Sequence, residues 1–468
     1  METVYASILF PLTFLFSFHN KVKLNFLTFY VFLCFSDGLI QILLPTRFFT
    51  VYKIVILAFI FLIVVRTSFK SRDFIKQNTP GLSLFSIFLI SLVFVIIINN
   101  NSVSSLITFI RVPLMGYLFF IIMFNYNMKS DSVNELLLLI KRLLIIQIFA
   151  AVLKYFLLGM AEKPVTTISA MGGSSAVLLP VMMAIIVLAL YLFYNKDKKL
   201  FLLLPLILLI GFINSKRGIW IFLPALLVLT YSVWQILRYG WGKSLRYLTV
   251  KLPFILILGL LIFYIGVRMN RTLNPDRKVW GRFDLEYASN YIREYNYDED
   301  YYEDTKLVKG RQAGLEYTLV RFLSDQPIIT ALFGIGPDKI IAQQHQSYEI
   351  RSTGIESRGS MTGLVQYMWA TGILPVIIYL LFIVQLLRFS FRSYSRLKAS
   401  NYEFFPFTAI MFCFVFFIDF IFYTTAFINI LALQVLFYSS IAISSYVPER
   451  GSFGKDRMHI LKVLLREI

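Results

Sequence analysis

Thiols, imidazoles and carboxylates are all scarce in this chain. Its 468 residues include 2 cysteines, 3 histidines and 26 acidic residues, set against 45 lysines and arginines. Cys34 and Cys413 both lie in apolar runs, so they offer neither a disulfide framework nor a zinc site. The first apolar run lacks a basic n-region and a small-residue cleavage site, so no cleavable signal peptide is expected. No internal repeat and no low-complexity segment is found. That counts against a secondary transporter or flippase, whose folds are commonly built from repeats. The shortage of acid leaves a formal net charge of +19. In a soluble protein that would suggest nucleic acid, but here cytoplasmic loops obeying the positive-inside bias are the plainer source, and no nucleic-acid partner is expected.

What the chain does have is apolar surface. It is 58% hydrophobic and 17% aromatic, with 47 phenylalanines, and its mean hydropathy is +0.72. Runs long enough to cross a bilayer as a helix recur along its length. The fold class that follows is an all-α polytopic membrane protein with about 12–13 transmembrane helices. Spans are read at Val4–Phe18, Leu24–Leu44, Phe48–Val65, Leu82–Ile98, Ser104–Phe124, Leu136–Leu158, Gly172–Tyr194, Leu200–Ile213, Ile219–Leu237 and Leu252–Val267. Three more follow at Met361–Leu387, Phe404–Asp419 and Tyr423–Tyr446. Val4–Phe18 is short. Leu200–Ile213 is too short to cross alone and reads as a half-helix or as continuing into the polar island after it.

One large polar insert, Arg268–Ser360, divides the chain into an N-terminal membrane part (1–267), an external loop (268–360) and a C-terminal membrane part with a tail (361–468). Basic connectors set the orientation. Arg66, Lys70, Arg72 and Lys76 mark one inside loop, Arg388, Arg392, Arg396 and Lys398 another, and the tail is basic too. The C-terminus is then cytoplasmic. The insert and the short island Asn214–Gly218 are outside. Within the insert, tyrosines such as Tyr291 and Tyr295 interleave with acids. Gly310–Asp325 reads as an amphipathic helix with Leu315, Leu319, Phe322 and Leu323 near one face.

Positive-inside predicts few cations at the outer face, and this chain breaks that expectation. Arg111 lies roughly 10 Å below the outer surface, from its depth in its span at 1.5 Å per residue. Lys154 is near the outer end of its own span, Lys216 and Arg217 stand in the island, and Arg268 and Arg358 flank the insert. A charge within a span costs a few kcal/mol, so it usually meets a polar cavity or a partner. Singly, each has a plainer explanation: Lys154 can snorkel and Arg111 can cap carbonyls. Together they suggest an electropositive cavity open to the outside, whose natural occupant is a pyrophosphate held by arginine forks and lysine charge. The outer segments hold no pair of aspartates for a divalent ion, so side-chain cations would stabilise the leaving group and no metal or cofactor is expected. For a base, His345 is the one outer histidine and has a suitable ordinary pKa. Asp338 and Glu356 compete with it, and a solvated loop histidine is the plain alternative.

Three phrases resemble the O-antigen polymerase and O-antigen ligase superfamily of bacterial envelope enzymes. The first is Asn214-Ser215-Lys216-Arg217-Gly218. The second is Gly310-Arg311 followed by Leu332-Phe333-Gly334-Ile335-Gly336-Pro337. The third is Gly363-Leu364-Val365-Gln366-Tyr367 with Thr371-Gly372-Ile373-Leu374-Pro375. The resemblance implies a metal-independent, GT-C-like membrane glycosyltransferase of the bacterial cytoplasmic membrane. Its substrate would be an undecaprenyl-pyrophosphate-linked oligosaccharide, its medium the lipid bilayer, and a chain-length regulator a candidate partner. Arg217 falls on the family's pyrophosphate-clamping arginine, and Arg311 and Arg358 join the candidate clamp. The glycine that follows the ligase's catalytic histidine is Glu356 here, and the family's histidine pair is His345-Gln346. These departures favour a polymerase, which transfers the growing glycan to a lipid-linked repeat unit, over a ligase, which transfers it to lipid A core.

Overall fold

The computed structural model describes residues 1–19, 22–70, 79–125, 130–161, 163–170, 173–193, 203–214, 216–296, 310–342, 353, 355, 361–398, 400 and 402–445. Before the insert come α1 (Glu2–Phe18), α2 (Phe26–Phe35), α3 (Asp37–Leu43), α4 (Thr46–Lys70), α5 (Leu82–Asn99), α6 (Val103–Asn125), α7 (Ser130–Leu158), α8 (Ser175–Phe193), α9 (Leu203–Ile213), α10 (Ile219–Tyr239) and α11 (Trp241–Met269). The insert holds α12 (Leu285–Asn296), α13 (Arg311–Ser324), α14 (Ile328–Phe333) and α15 (Pro337–Ala342). After it come α16 (Gly363–Thr371), α17 (Ile373–Leu397), α18 (Phe404–Ile418), a π-helical turn over Asp419–Tyr423, α19 (Ala426–Asn429) and α20 (Leu431–Ile443). An isolated β-bridge pairs Val165 with Ser169.

The chain is an all-helical, multi-pass membrane protein. Eight described helices are long and apolar enough to cross a bilayer, or nine if α2 and α3 form one broken span, and four shorter apolar helices accompany them. Burial separates centre from rim. In α6, α8 and α18, 72, 78 and 78% of the apolar window is buried, against 22 and 28% in α4 and α5. The central helices therefore carry the packing, and the rim helices turn side chains such as Phe61, Ile90 and Ile97 outward. Aromatic contacts tie the C-terminal helices to the N-terminal ones: Tyr117 of α6 lies 4.2 Å from Phe85 and 5.2 Å from Phe382, ring centre to ring centre.

Two runs read as single spans are broken. Leu24–Leu44 bends by 67° between α2 and α3. The α3 backbone is drawn into the loop after α7, where the Gly38 and Leu39 amides both donate to the Thr167 carbonyl. Met361–Leu387 breaks at Gly372, whose φ is +84°. The amphipathic face of α13 also differs from expectation. Leu315 and Phe322 are buried, but Leu319 is 45% exposed and Thr318 takes the inner position. A threonine can be buried there because its hydroxyl accepts the Trp369 indole N–H at 3.1 Å, which leaves no polar atom without a partner at that contact.

Glycine makes the joint between insert and membrane part. The Ile335 and Gly336 amides donate to the Trp369 and Ala370 carbonyls at 2.8 and 3.1 Å, beside the break between α16 and α17. Gly334 and Gly372 both have positive φ, and a Cβ at either would lie within 2.7 and 2.2 Å of facing backbone. Two of the phrases singled out in the sequence therefore dock on one another, backbone to backbone. The joint extends to the start of α6, where the Asp338 carboxylate accepts from the Ser102 amide at 2.7 Å and its hydroxyl at 3.1 Å.

Candidate functional site

Two cavities open at the end of the bundle that carries the insert. The first, about 440 Å³, is lined by Gly173, Ser174, Lys216, Arg217, Gly218, Tyr291, Arg311, Gln312 and Tyr423, among others. The second, about 580 Å³, adjoins it by sharing Gly173, Ser174 and Arg311, and it reaches Asp37, Lys53, Arg111, Gln366 and Asn429. Both volumes lie in the ordinary range for small-molecule sites.

The first cavity is a meeting of helix starts. Gly173 and Ser174 lead into α8, Lys216 to Gly218 lead into α10, and Arg311 with Gln312 forms the first turn of α13. Unpaired amides and the helix dipole make each such end weakly positive. Three of them, with one lysine and two arginines, give a strongly anion-attracting pocket. The arginines are held by aromatic faces: the Arg217 guanidinium lies 4.8 Å from the Tyr291 ring centre and donates to its hydroxyl, and Arg311 lies 4.6 Å from the Tyr423 ring centre. Stacking orients a guanidinium while leaving edge N–H groups for a ligand. Tyr423 is itself fixed, packed at 4.8 Å on Phe222, and its hydroxyl would meet a Cβ at Gly218 at 2.9 Å.

The loop that closes this region depends on Asp419, which is 1% exposed. Its carboxylate accepts from the Phe427 amide at 2.8 Å and the Thr424 hydroxyl at 2.7 Å. The π-turn thus ends in a pinned loop whose residues 424–426 line the second cavity.

Four of the cations singled out in the sequence, Arg111, Lys216, Arg217 and Arg311, line this pair of cavities. Two others serve the fold. Lys154 is fully buried and donates to the Ala161 and Pro164 carbonyls and the Asn214 side-chain oxygen at 2.5–2.7 Å. It clips the loop after α7 to the island and so sets where Lys216 and Arg217 stand. Arg268 donates to the Gly281 carbonyl at 3.0 Å and lies 5.0 Å from the Trp280 ring centre, closing the end of α11. Asp338 sits at the α6 joint with its carboxylate engaged by Ser102. Burial pushes its carboxyl up, but hydrogen bonds from Ser105 and Ser102 outweigh that and hold it below the usual carboxylate value. His345, Glu356 and Arg358 lie outside the described residues.

Sequence reasoning missed Lys53 and Asp37. Lys53 is 4% exposed on α4, and its ammonium lies 2.5 Å from the Asp37 carboxylate at the start of α3. The available signal was a lysine and an aspartate each inside an apolar run, since opposite charges in a membrane are expected to pair. Tyr423 and Asp419 were missed as well, because their roles depend on the π-turn. Comparison with family models and with curated proteins finds no match for the chain.

Proposed function

We propose that this protein is a polysaccharide polymerase that transfers a growing glycan from undecaprenyl pyrophosphate to a lipid-linked repeat unit at the outer face of a bacterial cytoplasmic membrane. One observation supports the reading most: Lys216, Arg217, Arg311 and Arg111 converge on two adjoining cavities beside the insert. The family resemblance of the phrases that carry Arg217 and Arg311 points the same way. On this reading the four shorter apolar helices complete about 12–13 crossings of a GT-C-like fold. The insert is external, the C-terminus is cytoplasmic, and a chain-length regulator is a candidate partner.

The chemistry asked of the site is electrostatic. As the bond from anomeric carbon to pyrophosphate breaks, negative charge builds on the leaving oxygens. Arg217 and Arg311, preoriented on tyrosine faces, meet that charge without reorganising, which is where such sites gain most. Lys216 adds a compact point charge. His345 and Glu356 remain the sequence's own candidates for the proton acceptor.

Arg217→Ala tests the reading in cells. Long-chain polysaccharide is lost while single-repeat product persists, read on a chain-length ladder. A wild-type ladder in that variant removes the clamp from the account. A ligase would instead leave its ladder attached to lipid A core, which mass analysis of the product distinguishes.

A further inference from the structure

We infer that the second cavity is the acceptor-sugar subsite, and that Asp37, held by Lys53, takes the proton of the attacking hydroxyl. The inference rests on the glycan-transfer reading above. The two cavities differ in the rest of their polar lining. The first is lined by three cations and no carboxylate among the described residues. The second is also lined by three cations, Lys53, Arg111 and Arg311, but it adds the Asp37 carboxylate, paired with Lys53, and neutral hydrogen-bonding groups, Gln41, Thr108, Gln366 and Asn429, together with the aromatic rings of Phe49 and Tyr367. Amides, a hydroxyl and ring faces suit a polyol. Arg311 stands at the junction of the two cavities, so a donor in the first and an acceptor in the second would meet beside it.

Asp37 is the only carboxylate among the described residues lining either cavity. The pair is asymmetric: the Lys53 side chain is 4% exposed and that of Asp37 is 13% exposed. Both side chains line the cavity, and that of Asp37 is the more exposed of the two. Lys53 acts as a positioning residue, fixing the carboxylate through the ion pair. The bend between α2 and α3 is what brings Asp37 to the cavity wall. In the step itself, the hydroxyl proton passes to the Asp37 carboxylate. The hydroxyl oxygen bonds the anomeric carbon, the carbon–oxygen bond to pyrophosphate breaks, and its electron pair leaves with the pyrophosphate. Water in the cavity then takes the proton from Asp37.

The test uses the full chain in lipid nanodiscs, with lipid-linked repeat units extracted from cells deleted for this gene as the substrate probe. Chain extension and binding of undecaprenyl pyrophosphate are measured separately. Asp37→Asn is expected to slow extension by about 10²–10⁴-fold with undecaprenyl pyrophosphate binding unchanged. Asp37→Glu is expected to restore part of the rate. Because Asp37→Asn leaves Lys53 buried without its carboxylate, the double variant Asp37→Asn/Lys53→Met serves as a folded control with the same loss. The inference is overturned if Asp37→Asn extends chains at the wild-type rate, if pyrophosphate binding falls in parallel, or if both variants aggregate, which would make Asp37 a structural residue. Wild-type extension with an unaffected Asp37→Asn sinks this inference alone. A wild-type protein that extends nothing sinks the transfer reading and this assignment with it.

Discussion

At the scale of single residues, position decides what a cation does. Lys154 and Arg217 are both outer-face cations in the sequence, yet one is spent on carbonyls and the other is stacked in a cavity. Lys154 satisfies three acceptors in a buried site. Lys154→Met therefore strands them, at about 1–3 kcal/mol for each buried acceptor left unsatisfied. We expect a marked drop in thermal stability in detergent, measured by size-exclusion after heating, whether or not substrate is present. An unchanged melting profile would mean the clip contributes nothing. Neither role could be read from the chain alone. Asn214, which accepts from Lys154, is 60 positions away, and Tyr291, which carries Arg217, is 74 away. The charges were legible because a membrane makes them costly, but their partners were not, because contact across the bundle leaves no local pattern.

At the scale of elements, breaks matter more than spans. Hydropathy finds apolar runs and averages over their interruptions. It therefore reads Leu24–Leu44 and Met361–Leu387 as continuous, though Gly372 already stood in one of the quoted phrases. What the average hides is that the bend after α2 delivers Asp37, and the break after α16 receives the insert. Because Leu332 and Phe333 lie against Gly372 with no room for a Cβ, Gly372→Ala should cost about 1–3 kcal/mol in backbone strain alone. It should also free the insert, read as faster protease cleavage within 268–360. Protease resistance equal to wild type would contradict the joint. The α6 end of that joint is pH-dependent. A carboxyl held below its ordinary value stabilises the fold above the unfolded pKa, and that stabilisation is lost as pH falls through the folded one. Wild type should therefore melt higher than Asp338→Asn at pH 7. The gap should close as pH drops below the ordinary carboxylate value of about 4. A gap that is constant with pH would mean the charge is irrelevant there.

For the whole molecule, the all-helical membrane class and the single large insert follow from where apolar and polar runs fall, since only helices satisfy their own backbone in lipid as single segments. The way loops from distant runs meet does not follow. The island, the turn before α8, the first turn of α13 and the π-turn come from four separate parts of the chain, and only the fold sets them around one pair of cavities. The central claim is that this meeting place binds a pyrophosphate-bearing lipid. It is tested most directly by equilibrium binding of undecaprenyl pyrophosphate to the protein in nanodiscs, with undecaprenyl monophosphate as the comparison. The account predicts that wild type prefers the pyrophosphate. It also predicts that Arg217→Ala and Arg311→Ala each weaken pyrophosphate binding by about 10–100-fold, the equivalent of losing charge-assisted hydrogen bonds of about 1.5–3 kcal/mol. Equal affinity for the two lipids, or variants that bind the pyrophosphate as tightly as wild type, would contradict it.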